Sequence, residues 1–126
     1  MAAEAAPRGD VPSVSGEGGQ EQGQSSVARV WAQYREVIFQ RLGAVEAAAT
    51  ALRKATLTPE VRQKAVLEAH RLAGSLGMFG LDNGTRVARE IEHLLTNEVA
   101  LLSPDAPRRL VDSAAALRAE LEKGPA

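Results

Sequence analysis

Apolar residues recur along most of this chain at intervals of three and four, the period of one face of an α-helix. The longest stripe reads Val27, Val30, Trp31, Tyr34, Val37, Ile38, Leu42, Val45, Ala48, Ala49 and Leu52, with Arg29, Arg35, Glu36, Arg41 and Glu46 on the other side. Ser25 or Ser26 supplies a side chain to cap the first N–H groups of this first helix. Thr58-Pro59-Glu60 is a second start signal: a capping hydroxyl, a proline whose missing N–H costs nothing at the first position, and an acid facing the helix dipole. The stripe that follows, Val61, Ala65, Ala69, Leu72 and Leu76, predicts a second helix to about Leu76. Gly77, Gly80 and Asn83-Gly84 then mark a turn, with Asp82 or Asn83 as the cap of a third helix carrying Val87, Ile91, Leu94 and Leu95. Ser103-Pro104-Asp105 repeats the start signal, with Pro107 in the first turn. Leu110, Ala114, Leu117 and Leu121 form the last stripe, and Gly124-Pro125 stops it. No segment alternates with period two. The expected fold is all-α, an antiparallel four-helix bundle with short joints over residues 27–123.

Residues 1–26 break the pattern. They hold five Gly, four Ser, three Gln and two Pro without a periodic apolar position, a composition that buries too little surface to offset its ordering entropy. A disordered N-terminal tail is expected there. The whole chain of 126 residues, enough for one domain, has a net charge of −1. Setting aside Arg8 and the four acids of the tail leaves 14 bases and 12 acids, so neither sign provides a global pull toward nucleic acid or membrane. The absence of cysteine excludes a disulfide framework, a thiolate metal site and a cysteine nucleophile. The apolar runs are too short to span a bilayer, and no signal peptide opens the chain. A cytoplasmic, monomeric protein without nucleic-acid or membrane partners is expected.

Candidate chemistry is sparse. Glu90 and His93 have the Glu-x-x-His spacing once, whereas a di-iron carboxylate bundle uses it twice with further inward glutamates, so no metal site is expected. The glycines near residue 77 lack the Lys-Ser/Thr of a phosphate-binding loop. His70 stands apart. It falls about 100° from Ala69, flanking the core stripe, and shares its own stripe with Val66, Gly74 and Gly77. Glycine inside a helix costs about 1 kcal/mol relative to alanine, so two beside one imidazole imply that something approaches it closely. Arg62, Lys64, Arg71, Arg86 and Arg89 surround it in the sequence. Antiparallel pairing of the second and third helices makes Glu92 a candidate to face His70, where a carboxylate accepting from Nδ1–H leaves Nε2 as a free nucleophile.

The run from His70 to Leu81, His-Arg-Leu-Ala-Gly-Ser-Leu-Gly-Met-Phe-Gly-Leu, resembles the signature of histidine phosphotransfer (HPt) domains, and its Met-Phe-Gly ending is similar to the phosphotransfer domain of chemotaxis-type histidine kinases. The resemblance implies a phosphoryl carrier with no catalytic site of its own. His70 would be the phosphoacceptor and Glu92 the residue that orients it, with Arg71, Gly74, Gly77 and Arg89 as docking and phosphate environment. The implied partners are a response-regulator receiver domain, a histidine kinase, or both; no cofactor is implied beyond Mg²⁺ on the receiver. Ala73 stands where the family usually has lysine, and Gly84 where it has an apolar residue, which predicts loose packing at the start of the third helix. Neither a kinase nor a receiver pattern fits in 126 residues, so a free-standing carrier is expected. The alternative is an HPt-like adaptor that binds a receiver or kinase without being phosphorylated.

Overall fold

The computed structural model describes residues 19–125, with side chains from Ser26 onward. The chain divides into two units, Met1–Val30 and Trp31–Ala126. Helix α1 (Gly19–Arg53) runs through their boundary and is followed by α2 (Pro59–Met78), α3 (Asp82–Thr96), the short α4 (Glu98–Leu101) and α5 (Ala106–Lys123). The described residues contain no strand. The tail expected over residues 1–26 lies for the most part outside the described residues. Its described end, from Gly19, is helical, so α1 begins ahead of the Ser25–Ser26 start. Extending an existing helix adds a hydrogen bond for each residue fixed, which lets the segment ahead of Ser25 continue it.

Within the second unit, the core is aliphatic and dominated by small and branched residues. Ile38, Leu42 and Val45 of α1 meet Ala65, Ala69, Leu72 and Leu76 of α2, Val87, Ala88, Ile91 and Leu95 of α3, and Leu110, Leu117 and Leu121 of α5 in one buried cluster. Trp31 packs edge-on against Phe79 at 5.1 Å between ring centroids. Gly124 lies close enough to Trp31 that a Cβ there would sit 3.1 Å from the indole nitrogen. A bidentate pair from Arg118 to Glu46, at 2.7 and 3.0 Å, ties α5 to α1 and raises the guanidinium pKa above its ordinary value.

The helix starts follow local chemistry in part. Thr58 accepts from the Val61 N–H at 3.2 Å, with Pro59 in the first turn, as the sequence predicts. The third helix differs: Leu81 is its N-cap, no side chain caps it, and Asp82 is already helical. The reason lies in the preceding turn. Gly80 has φ +72°, its N–H bonds to Gly77 O at 3.1 Å, and Leu81 N–H bonds to Leu76 O at 2.9 Å. This Schellman arrangement satisfies the last carbonyls of α2 and reverses the chain within three residues. The sequence reading also lacked α4, whose N-cap Asn97 accepts from Ala100 N–H at 3.0 Å.

Two packing expectations need correction. The apolar stripe of α1 is not buried throughout: Val27, Val30, Tyr34 and Val37 are exposed, Tyr34 by 54%. Helical periodicity records an apolar face but not what covers it, and a tyrosine keeps its hydroxyl in water. Gly84 is buried, and a Cβ there would lie 3.2 Å from Leu76 Cδ1. The start of α3 is therefore tightly rather than loosely packed against α2. Because only glycine adopts the left-handed conformation of residue 80 without strain, Gly80→Ala is expected to lower stability by about 1–2 kcal/mol in denaturant unfolding, with the slope of the transition unchanged.

Candidate functional site

The antiparallel seam between α2 and α3 is marked by a ladder of contacts. Arg62 Nη1 donates to Leu95 O at 3.0 Å near one end, and a Cβ on Gly77 would lie 3.9 Å from Thr85 Oγ1 near the other. Between them, His70 Nδ1 and Glu92 Oε2 are 3.0 Å apart. An ionised carboxylate can only accept, so Nδ1 is the donor in this contact, and the neutral tautomer that fits it keeps the lone pair on Nε2. Ala69 and Ile91, adjacent in sequence to these two residues, are buried in the core. Core packing therefore sets the distance between the polar pair, and the pair itself stays at the rim. The His70 side chain is 71% exposed and that of Glu92 29%. At that exposure the hydrogen bond contributes to stability at the low end of about 0.5–1.5 kcal/mol.

A cleft of about 520 Å³ opens beside the imidazole, lined by His70, Ala73, Gly74, Arg89, Glu92, His93, Thr96 and Asn97. Gly74 is exposed within α2, and a Cβ built on it would meet nothing within 4 Å. No packing among the described residues requires glycine there. The absent side chain instead widens the approach to the imidazole from outside, at the usual helix-propensity cost of about 1 kcal/mol.

The predicted residues do not all converge. His70, Gly74, Arg89 and Glu92 line one cleft. Gly77 is exposed further along α2, beside α3, and does not line it. Arg71 is directed elsewhere: its Nη1 lies 3.4 Å from Glu68, whose carboxylate is also 3.8 Å from Arg41 Nε of α1. One residue is a rotation of about 100° on a helix, enough to move Arg71 to the other side of α2 from Glu92. Ala73, one turn past His70, is buried and gives the cleft no cation. Arg89 is the arginine that lines it, and it has no ion-pair partner among the described residues.

Three further residues escaped sequence reasoning. Glu90 pairs with Arg86 at 2.7 Å, while His93 is exposed and lines the His70 cleft. Its spacing, four residues after Arg89 on one helix face, was the available signal. Thr96 and Asn97 enter the cleft where α3 ends, and no periodic pattern marks them. Among the described residues, no group of three or more His, Cys, Asp or Glu side chains is placed to hold a metal ion. No described helix is long and apolar enough to cross a membrane.

The chain is 30% identical over 88 residues to Protein RcaC of Microchaete diplosiphon, a match covering 70% of this chain but 14% of RcaC. No solved structure gives a significant match. The sequence model of the Hpt domain matches residues 29–123, from within the first half of α1 to the end of α5. Domains of that family carry phosphohistidine in two-component phosphorelays and interact with receiver domains and histidine kinases. This chain belongs to the Hpt domain family.

Proposed function

We propose that His70 is the phosphoacceptor of this Hpt domain and that Glu92 orients it. One observation carries the assignment: an exposed imidazole held through Nδ1 by a carboxylate, beside a helical glycine that nothing among the described residues packs against. The lone pair of Nε2 attacks phosphorus in line with the bond to the donor oxygen. That bond breaks, and its electron pair leaves with the donor. The ring retains its Nδ1 proton and gains positive character, which the Glu92 carboxylate compensates. In the reverse step a receiver aspartate attacks phosphorus, and the N–P electron pair returns to Nε2. Mg²⁺ belongs to the receiver, so this chain needs to supply only an oriented nucleophile, a clear approach and a cation for the phosphoryl oxygens. Arg89 fills that last role in place of a lysine at residue 73, since its guanidinium is uncommitted and lines the same cleft. We place the protein in the cytoplasm, where receivers and kinase domains meet it.

Incubation with phosphoramidate, a small donor that requires no protein partner, is expected to give an acid-labile, base-stable adduct that is absent in His70→Gln and retained in His93→Gln. Loss in His93→Gln with retention in His70→Gln would overturn the assignment, and a wild-type chain that binds receivers without labelling would favour the adaptor reading. Arg89→Ala is expected to shorten the lifetime of the phosphohistidine, or slow its formation, by about threefold to tenfold through loss of one charge-assisted contact. Gly74→Ala should do two opposite things: raise stability by about 0.5–1 kcal/mol in thermal unfolding, and slow transfer to a receiver measured by loss of label.

A further inference from the structure

The cleft beside His70 continues across the outer face of α3. Arg89, His93 and Asn97 also line an adjoining cleft of about 580 Å³ that reaches Ala100 of α4 and Arg109 in the first turn of α5. Ion pairing sets two of these residues apart from the other arginines on α2–α5. Arg62 pairs with Glu98, Arg71 with Glu68, Arg86 with Glu90, Arg108 with Asp105 and Arg118 with Glu46. The remaining two, Arg89 and Arg109, have no carboxylate within 4.0 Å among the described residues, and both line this second cleft. Its acids do not cancel them. Glu90 is taken by Arg86 at 2.7 Å, which leaves Asp82 against two guanidiniums and the imidazole of His93.

We infer that this second cleft is a docking site for an acidic surface segment of the protein that exchanges the phosphoryl group with His70, with Arg109 as its outer anchor. The inference rests on the relay function proposed for His70. A specific protein interface covers about 800 Å² on each partner, far more than one imidazole, so a protein seated on His70 extends over the neighbouring surface. The continuity of the two clefts through Arg89 and His93 gives the direction of that extension. A guanidinium without an internal partner has no ion pair to break when a carboxylate arrives, and it presents a planar fork that matches one. Arg109 thus selects among partners by their charge, while His70 performs the same chemistry with each.

The test uses the full chain labelled on His70 with phosphoramidate and the receiver domains of the parent organism, purified one at a time. With the best acceptor, Arg109→Glu is expected to raise the KM for transfer by roughly tenfold at low ionic strength while kcat holds, and the gap should close as salt is added. Arg108→Glu makes the same charge change one residue away, outside the cleft and on a side chain already paired, and should shift KM by less than about twofold. Arg109→Lys, which keeps the charge and rules out a merely misfolded α5, should stay near wild type. Equal shifts in Arg109→Glu and Arg108→Glu, a salt-independent gap, or a fall in kcat alone would overturn the docking site and leave the relay intact. Inorganic phosphate that saturates the cleft while Arg109→Glu transfers normally would likewise overturn it, in favour of a small anion as occupant. A chain that never labels, or that labels and passes its group to no receiver, overturns the relay and the docking site together.

Discussion

Antiparallel packing of α2 on α3 is the constraint from which the site follows. The Schellman turn at Gly80 reverses the chain in three residues, and Leu76 fits against Gly84 immediately beyond it. That pair of contacts fixes the register of the seam. Every later pairing along it is then determined by helix geometry, including the 3.0 Å approach of His70 to Glu92 two to three turns away. His70 and Glu92 need no loop to position them. Both stand on rigid helices next to buried Ala69 and Ile91, so a change in core volume at either neighbour would be felt at the imidazole.

This dependence explains how the sequence yields some features and not others. Helix type, the Thr58-Pro59 start, and the burial of Leu72, Leu76, Ile91, Leu117 and Leu121 are written in local periodicity and capping chemistry, and the structure has them. The His70–Glu92 pairing was readable because a short turn forces antiparallel neighbours, and only a few residues of α3 then face the middle of α2. Arg71 was misjudged for a complementary reason. Adjacency in sequence is not adjacency on a helix, and Glu68 with Arg41 offers its guanidinium a competing carboxylate network on the α1 side. The exposed Tyr34 and Val37, the short α4 and the cleft positions of Thr96 and Asn97 depend on where neighbouring helices end, which no pattern within a single helix specifies. Gly84 was misread because a missing side chain looks like a void until the partner that fills it, Leu76, is known.

The two glycines Gly74 and Gly84 look alike in the sequence and do opposite work. At Gly84 the space is filled from within, and the glycine brings α3 close to α2. At Gly74 the space is filled by nothing among the described residues. Each carries the same intrinsic penalty of about 1 kcal/mol in a helix. Only Gly84 recovers it through packing, so the penalty at Gly74 is offset outside folding, in what approaches the imidazole.

Exposure and orientation compete at such a site, and the balance accounts for the polar surroundings of His70. A histidine buried for rigidity could not reach the phosphorus atom held on another protein. One left entirely in solvent would sample rotamers and both tautomers, losing the alignment that in-line attack requires. The structure divides the two demands between partners: the imidazole is mostly exposed, while the carboxylate that fixes it is mostly covered. Charge follows the same division. In the transfer proposed for His70, Glu92 would offset positive character on the ring, and Arg89, which lines the cleft and is unpaired among the described residues, would offset the negative phosphoryl oxygens. In these water-accessible surroundings the ionic interactions of both groups are attenuated severalfold relative to a closed site. An open carrier of this kind therefore gains its rate when a partner covers the cleft, and its specificity lies in the surface that the partner covers.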